Sequence, residues 1–345
     1  MRLQLTIPAV LLSAIFATAA LAGDGTLYVL NKSDANVSPI DTATGTAAET
    51  IPVGDGPHEA AVSPDGKTLV VCNYGRSTPG RTLTVIDTAT GTVRGTMDLR
   101  DYHRPHGIAY IPGTDTIVVT AEPEKKLLLI DVPSGVLLAA IDTEQELSHM
   151  VAVAPDGSRA FVANINSGTI SIIDLVKHEF VKTLRTGAGA EGLAVHPTRP
   201  ELWVTNRSSD TVAIVNTDTL RVETKIMCPR FPIRIAFTPD GDHALVSNAQ
   251  SGDIAVINTT TRTIQRRINM DEEPVGDDEK ATRLFSDTFG QSPVPIGILI
   301  RPDGKFAYVA NTNADVISVI DLNTWTIVDR LHAGKEPDGL AWIEK

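Results

Sequence analysis

Three histidines of the sequence are placed so that they could hold a metal ion together. His58, His106 and His149 each stand six residues before a proline, at the same position of a recurring sequence pattern. Three neutral imidazoles with an open coordination position are a usual arrangement for catalytic zinc, and imidazole also suits copper and nickel. The pattern therefore predicts a transition-metal site, with copper or zinc as the expected ion, if the fold brings the three side chains together.

Four other residues take the same position in the remaining repeats: Glu191, Ile233, Ile296 and Asp338. Carboxylates beside metal-bound histidines can ligate the ion, orient an imidazole N–H or act as a base toward metal-bound water. Glu191 and Asp338 are therefore candidate catalytic residues. Ile233 and Ile296 form a candidate apolar surface for a substrate, and Arg234, which follows Ile233, is a candidate for binding an anionic substrate.

Two other interpretations of these positions stay open. The polar residues can bind a ligand without any metal ion. They can also be solvated side chains at the mouth of a wet channel, bonded to water and to one another. In all three cases the residues must come from equivalent elements that converge on one point.

The elements that must position these residues follow from a sequence repeat. Short apolar runs end in Asp or Asn seven times, at Asp41, Asp87, Asp131, Asp174, Asn216, Asn258 and Asp321. Five of the intervals are 42 to 46 residues long and the last is 63. Because a period of about 42 residues is the length of one four-stranded blade, the sequence predicts an all-β, seven-bladed β-propeller of four-stranded antiparallel blades. The longer interval indicates an insertion, residues 269–294, before the last blade.

Each repeat contains short β-branched runs separated by Pro, Gly, Asn and Asp, which is typical of strands and tight turns. In the fourth repeat the expected strands cover residues 192–195, 202–205, 211–215 and 221–226. The chain ends on residues 339–342, which match an innermost strand. We expect this C-terminal strand to join the first blade beside residues 27–29, which closes the ring and removes an open sheet edge.

Recurring motifs carry a family resemblance over nearly all of residues 25–345. The strands Leu-Tyr-Val-Leu-Asn at 27–31, Leu-Trp-Val-Thr-Asn at 202–206 and Ala-Tyr-Val-Ala-Asn at 307–311 alternate with Pro-Asp-Gly turns at 64–66, 155–157, 239–241 and 302–304. In these motifs the chain resembles the YVTN-repeat seven-bladed β-propellers of exported bacterial proteins. The resemblance implies the propeller fold, but the functions of that family are mixed and it implies no single activity.

The N-terminus has the pattern of a secretory signal peptide. Arg2 supplies a positive charge, residues 7–20 are largely apolar, and Ala20-Leu21-Ala22 fits a small-x-small cleavage site. We therefore expect residues 1–22 to be removed, residues 23–345 to form one propeller domain, and the mature protein to be periplasmic or secreted. No membrane insertion is expected after cleavage.

Composition narrows the possible partners. The formal net charge of −12 repels phosphate backbones and argues against nucleic acid as a partner. A small-molecule ligand or a partner protein is expected instead.

Cys72 and Cys228 lie in distant repeats and are expected to be free thiols. The histidines at turns or strand ends are expected to be exposed: His178, His196, His243 and His332.

Two functions are consistent with these patterns. The first is an exported propeller with a ligand or transition-metal site at the mouth of its axial channel and redox or hydrolytic chemistry. The second is a non-catalytic binding or scaffold propeller that presents loops, including the acidic insertion, to a partner. The sequence leaves open whether the protein is an enzyme.

Overall fold

The computed structural model describes residues 25–272, 274–276, 283 and 288–345. Every regular element in this part of the chain is a β-strand, and the strands form seven antiparallel sheets. The predicted signal peptide, residues 1–22, lies outside the described residues, as do Glu273, residues 277–279 and Phe285 of the insertion. In the described part of the chain, no helix has the length and hydropathy to span a bilayer.

The strands are numbered β1–β29 and assigned to blades I to VII. Blade I contains β1 Gly25–Asn31, β2 Asn36–Asp41, β3 Thr46–Ala47, β4 Ile51–Pro52 and β29 Pro337–Glu344. Blade II contains β5 Pro57–Val62, β6 Thr68–Gly75, β7 Pro79–Asp87 and β8 Thr92–Asp98, and blade III contains β9 Pro105–Tyr110, β10 Thr116–Ala121, β11 Lys126–Asp131 and β12 Val136–Asp142.

Blade IV contains β13 Ser148–Val153, β14 Arg159–Asn164, β15 Thr169–Asp174 and β16 Glu179–Arg185, and blade V contains β17 Ala190–Val195, β18 Glu201–Asn206, β19 Thr211–Asn216 and β20 Arg221–Met227. Blade VI contains β21 Pro232–Phe237, β22 His243–Asn248, β23 Asp253–Asn258 and β24 Thr263–Asn269, and blade VII contains β25 Pro295–Ile300, β26 Phe306–Asn311, β27 Val316–Asp321 and β28 Thr326–His332. The predicted seven-bladed propeller is confirmed, and the four predicted strands of blade V lie within β17 to β20.

The turns between the two inner strands of a blade have a local chemical cause. In blade II, Asp65 Oδ1 accepts hydrogen bonds from Ser63 Oγ at 2.6 Å and from the amide of Lys67 at 3.0 Å. Gly66 takes a left-handed conformation with φ of 72°, which costs a residue without a side chain little. The Pro-Asp-Gly turn therefore fixes where β5 ends and β6 begins.

The hydrophobic core is divided into wedges between neighbouring blades. Between blades V and VI, for example, Trp203 and Ile214 pack against Ile235 and Val246. Between blades VII and I, Tyr308 packs with Leu27. Since both faces of each inner sheet are buried in this way, a blade is stabilised by its two neighbours.

The ring closes through the two ends of the described chain. β29 pairs with β1 in antiparallel register, with Leu27 opposite Trp342 and Tyr28 opposite Ala341. The innermost strand of each blade contacts the innermost strand of the next, and β29 lies between β25 and β5. The predicted closure by the C-terminal strand is therefore confirmed.

Asparagines at the ends of the second strands stabilise the inner blade edges. They are Asn31, Asn73, Asn164, Asn206, Asn248 and Asn311, and all are buried. Each side-chain amide bonds to the neighbouring strand: Asn31 Nδ2, for example, donates to Ser38 Oγ at 2.8 Å. Their recurrence has a structural cause.

Cys72 and Cys228 are buried free thiols, as predicted. The prediction of an exposed His196 was wrong, because this side chain is only 2% exposed. Its Nε2 lies 2.9 Å from the carbonyl of Gly241, and its Nδ1 accepts from the amide of Arg199 at 3.0 Å. His196 therefore links blades V and VI.

Ring closure leads to a first prediction. Removal of residues 338–345 takes away most of β29, exposes β1 as an open edge and unpacks the wedges on both sides of blade I. We expect the truncated protein to show no cooperative thermal unfolding by circular dichroism near the melting temperature of the full chain. Equal melting temperatures for the two proteins would contradict ring closure by this strand.

Candidate functional site

The predicted ring of side chains surrounds one cavity. His58, His106, His149, Glu191, Ile233, Ile296 and Asp338 come from the seven innermost strands, and all of them line a cavity of about 640 Å³. We call this cavity the axial chamber. The structure therefore brings together all seven residues that share this position in the repeats, while their chemical roles remain predictions.

The three imidazoles lie side by side in blade order. The ring centroids of His106 and His149 are 3.6 Å apart, with 33° between their planes. The rings of His58 and His106 are 4.9 Å apart. The environments of the three rings are nevertheless different.

His149 lies between two carboxylates. Its Nδ1 is hydrogen-bonded to Glu122 Oε1, and its Nε2 is 3.5 Å from Glu191 Oε1. Burial opposes protonation of this imidazole, but the charge of Glu122 and the hydrogen bonds to Glu122 and Glu191 outweigh burial and raise its pKa. His149 is therefore stabilised as an imidazolium.

His106 is held in its uncharged form. It is 1% exposed, and its Nδ1 has no hydrogen-bond partner among the described residues. Burial, followed by the nearby charges of His149 and His58, lowers its pKa well below the usual value. A buried polar atom without a partner is costly, so this nitrogen is a position at which a ligand or a metal ion can bind.

His58 faces Asp338. Its Nδ1 lies 2.9 Å from Asp338 Oδ2, and Lys32 Nζ lies 3.3 Å from the same oxygen. Burial would raise the pKa of the Asp338 carboxyl, but the charge of Lys32 and the contact with His58 hold that pKa below its usual value. Burial lowers the pKa of His58 despite this carboxylate.

Arg234 is held by carboxylates from blades II and V. Its Nη2 donates to Glu59 Oε1 at 2.9 Å, and its Nη1 donates to Glu191 Oε1 at 3.2 Å. Glu191 also accepts from Arg207 Nη1 at 2.6 Å. Because Arg234 already has two anionic partners, the geometry favours a supporting role for it over direct contact with a substrate.

Sequence reasoning missed a second set of residues that lines the chamber. They directly follow the recurring asparagines or, in blade III, the equivalent Ala121: Lys32, Tyr74, Glu122, Ile165, Arg207, Ala249 and Thr312. The first five line the chamber. The recurring asparagine marks this set in the sequence in every blade except blade III, where Glu122 follows Ala121.

One group in the chamber brings three potential metal-ligand atoms close together. Ligand atoms of His106, Glu122 and His149 lie within 4.8 Å of one another. Zn–N and Zn–O bonds of about 2.0–2.2 Å allow two ligand atoms to be at most about 4.4 Å apart, so small side-chain shifts are sufficient. Glu122 takes the third position in this group, where the sequence predicts His58.

An aromatic and apolar wall completes the chamber on the side of blades VI and VII. Ile233 and Ile296 are each 2% exposed and pack with Val294 and Ala249. Phe231 and Phe289 pack against this cluster, and their ring centroids are 4.8 Å apart. Phe289 belongs to the segment between β24 and β25, so the predicted insertion supplies part of this wall.

Another residue of that segment anchors it to blade VII. Arg283 is buried, and its Nη1 and Nη2 donate to the two carboxylate oxygens of Asp315 at 2.5 and 2.6 Å. A bidentate pair of this kind restrains both partners. Arg283 also lines the chamber.

Comparison with known proteins supports the propeller fold. Residues 3–133 match a family model described as a YNCE-like beta-propeller. Over 172 residues the chain is 24% identical to Protein NirF of Pseudomonas aeruginosa, a match that covers 47% of this chain and 43% of NirF. The chain thus spans less than half of the length of that curated relative.

Two solved structures share the architecture. Hydrazine synthase of Kuenenia stuttgartiensis superposes with a TM-score of 0.70 at 18% identity, covering 84% of this chain and 96% of that one. The dihydro-heme d1 dehydrogenase NirN, solved in complex with DHE, superposes with a TM-score of 0.66 at 14% identity, covering 92% and 74%. At these identities the similarity establishes the fold alone.

The buried charges lead to a prediction about acid stability. Burial raises the pKa of Glu191, but His149, Arg207 and Arg234 outweigh it and lower that pKa to about 2 from a usual 4.5. The ionised carboxylate therefore stabilises the fold fully above pH 4.5, and this contribution, on the order of 3 kcal/mol, is lost as the pH falls toward 2.

Urea unfolding of the wild type and of Glu191→Gln at several pH values measures this contribution. We expect the free energy of unfolding to fall less steeply below pH 4.5 in Glu191→Gln than in the wild type. Glu49→Gln, at an exposed position, is the matched control and should retain the wild-type slope. Parallel pH profiles for Glu191→Gln and the wild type would contradict the assignment.

Proposed function

We propose that the axial chamber binds a transition-metal ion, either alone or as part of a small-molecule ligand, and that His106 is the central ligand. The observation that carries this proposal is the buried, uncharged His106 imidazole, whose Nδ1 lacks a partner among the described residues. A Lewis acid satisfies this nitrogen without charging it. Because the chamber is large, a ligand of considerable size can approach the imidazole from the cavity side.

His149 and Glu122 are the further ligands that the geometry favours, since their ligand atoms lie close to those of His106. Because His149 is stabilised as an imidazolium, its coordination would displace the proton that its Nδ1 shares with Glu122. One carboxylate and two imidazoles suit zinc, copper or iron. His58 and Asp338 then act beside the ion, because Asp338 already orients His58 and neutralises Lys32. Glu191, on the far side of His149, orients that imidazole through its second nitrogen.

A bound metal ion would supply Lewis-acid or redox chemistry in the chamber. The residues of this chain supply the surroundings. Asp338 and Glu191 are the candidate bases, and their pKa values lie below the usual range, so both carboxylates are ionised at neutral pH. Ile233 and Ile296 give the reaction space an apolar side.

The tetrapyrroles are a ligand class that the comparisons favour. The dihydro-heme d1 dehydrogenase NirN, solved in complex with DHE, shares the propeller fold. A flat metallated ring could lie against the apolar wall while an imidazole nitrogen coordinates its metal. Tetrapyrrole binding and a bare ion on His106, Glu122 and His149 are thus two forms of one proposal.

We also propose that the chain is an exported propeller of the YVTN-repeat type, periplasmic or secreted, because of its N-terminal pattern and repeated motifs. A scaffold without catalysis is the competing function. In that case replacing the histidines would leave partner binding unchanged, and the chamber would take up no metal ion.

Metal binding tests the proposal directly. The protein is purified without a histidine tag, its metal content is measured by mass spectrometry, and the metal-depleted protein is titrated calorimetrically with Zn²⁺, Cu²⁺ and haem. We expect one tight site, and we expect His106→Ala to weaken it by a factor of about 100 or more, since changing a residue that only hydrogen-bonds to a metal ligand already costs about 10- to 100-fold.

His332→Ala is the matched control, because His332 is exposed at the end of β28. It should bind as the wild type does. Absence of stoichiometric binding by the wild type for all three probes, or equal binding by the His106→Ala protein, would contradict the proposal.

A further inference from the structure

One backbone position in every blade has a left-handed conformation. It is the second residue before each ring residue, and its φ lies between 48° and 73°; the residues are Gly56, Arg104, Leu147, Gly189, Phe231, Val294 and Glu336. We call this set the mouth column. Five of the seven are not glycine, although this conformation is unfavourable for residues with a side chain.

The fold itself imposes the conformation. In blade IV the carbonyl of Leu147 accepts the amide of Ile165 at 3.0 Å, and in blade VI the carbonyl of Phe231 accepts the amide of Ala249 at 3.0 Å. The same bond joins Gly189 to Arg207. In these blades the bonds fix the backbone of the mouth column relative to the second strand, whatever side chain it carries, and in blade III the amide of Arg104 donates to the carbonyl of Gly80 at 2.7 Å.

The fold therefore explains the backbone conformation of the mouth column but not the side chains that these positions carry. Glycine would be the least strained residue at each position, yet bulky side chains occupy most of them. Arg104, Leu147, Phe231 and Glu336 line the axial chamber. These side chains are therefore placed to contact what enters the chamber.

Arg104 is the cationic member of the mouth column. Its guanidinium stacks on the Tyr74 ring, 4.7 Å from the centroid, and its Nη2 donates to the carbonyl of Arg76 at 3.1 Å. Among the described residues it has no carboxylate partner, whereas the chamber arginines Arg207 and Arg234 are paired with Glu191. A half-buried guanidinium held in this way is suited to a carboxylate or another planar anion.

The opposite side of the mouth is apolar. Phe231 packs against Phe289, and Arg207 stacks over the Phe231 ring at 5.3 Å. Leu147 contributes a further aliphatic side chain to the lining. An entering ligand thus meets a cation on one side and flat apolar surface on the other.

We propose that the mouth column selects ligands with a flat apolar body and a carboxylate, and that Arg104 binds the carboxylate. This inference rests on the proposed function only in that the chamber holds a ligand. It requires no metal ion, so the two can fail separately. In a chain with a net charge of −12, a cation at the mouth also attracts anions that the rest of the surface repels.

The test uses a metal-free probe in two forms. Deuteroporphyrin carries two carboxylates, and its dimethyl ester has the same flat body without charge. Affinities for both are measured by quenching of protein fluorescence in one detergent-containing buffer. We expect the wild type to prefer the diacid, and Arg104→Gly to weaken diacid binding by about tenfold or more while leaving the ester unchanged.

Arg100→Gly is the matched control. Arg100 is also left-handed, with φ of 59°, and lies exposed in the same connection between blades II and III. The control loses an equal charge and the same strain, and it should bind as the wild type does. Thermal melting checks the fold of each variant, and Arg104→Asn, which tolerates the left-handed conformation, serves if Arg104→Gly does not fold.

Several outcomes would overturn the proposal. One is equal affinity of the wild type for diacid and ester, and another is diacid binding by Arg104→Gly or Arg104→Asn at wild-type strength. A loss of binding in Arg100→Gly as large as in Arg104→Gly would also overturn it. If neither porphyrin binds, the ligand class is wrong, while the metal site is judged separately by the titration with metal ions.

Discussion

The pairing of β1 with β29 is the constraint on which the rest of the structure depends. It converts a linear series of repeats into a ring, because the strand that completes blade I comes from the other end of the described chain. Each blade then gains two neighbours, and the core wedges between blades become continuous. Ring closure also determines the functional geometry, since any repeated sequence position becomes a circle of side chains around the axis.

Buried charge is the second determinant of the site. Glu122, Glu191 and Asp338 each lie against at least one cation or imidazole, and all three residues are buried. Removing one member of such a set leaves an uncompensated buried charge, which is expensive. The carboxylates therefore hold their partners in position. They also differentiate neighbouring imidazoles, because His149 contacts two carboxylates and His106 contacts none that the structure describes.

Much of this arrangement follows from the sequence. The turn prolines fix the register of the innermost strands, and this register identifies the ring from His58 to Asp338. The same reasoning could not find Glu122, because it directly follows a second strand, β10, and lies outside the innermost strands; it also differs in residue type from Tyr74 and Arg207 at equivalent positions. The left-handed conformation of the mouth column could not be predicted for a related reason. Only Gly56 and Gly189 reveal a left-handed conformation in the sequence, whereas Arg104 and Phe231 give no such indication. The burial of His196 could not be predicted because it results from a tertiary contact between blades V and VI.

The proposed function depends on a bond between His106 and a metal ion in the axial chamber. Anomalous diffraction from crystals of the protein soaked in Zn²⁺, collected above and below the zinc absorption edge, tests for this bond. We expect an anomalous peak within bonding distance of a His106 ring nitrogen, with Glu122 or His149 as a further ligand. A chamber without an anomalous peak, in crystals that show zinc elsewhere on the protein, would contradict it.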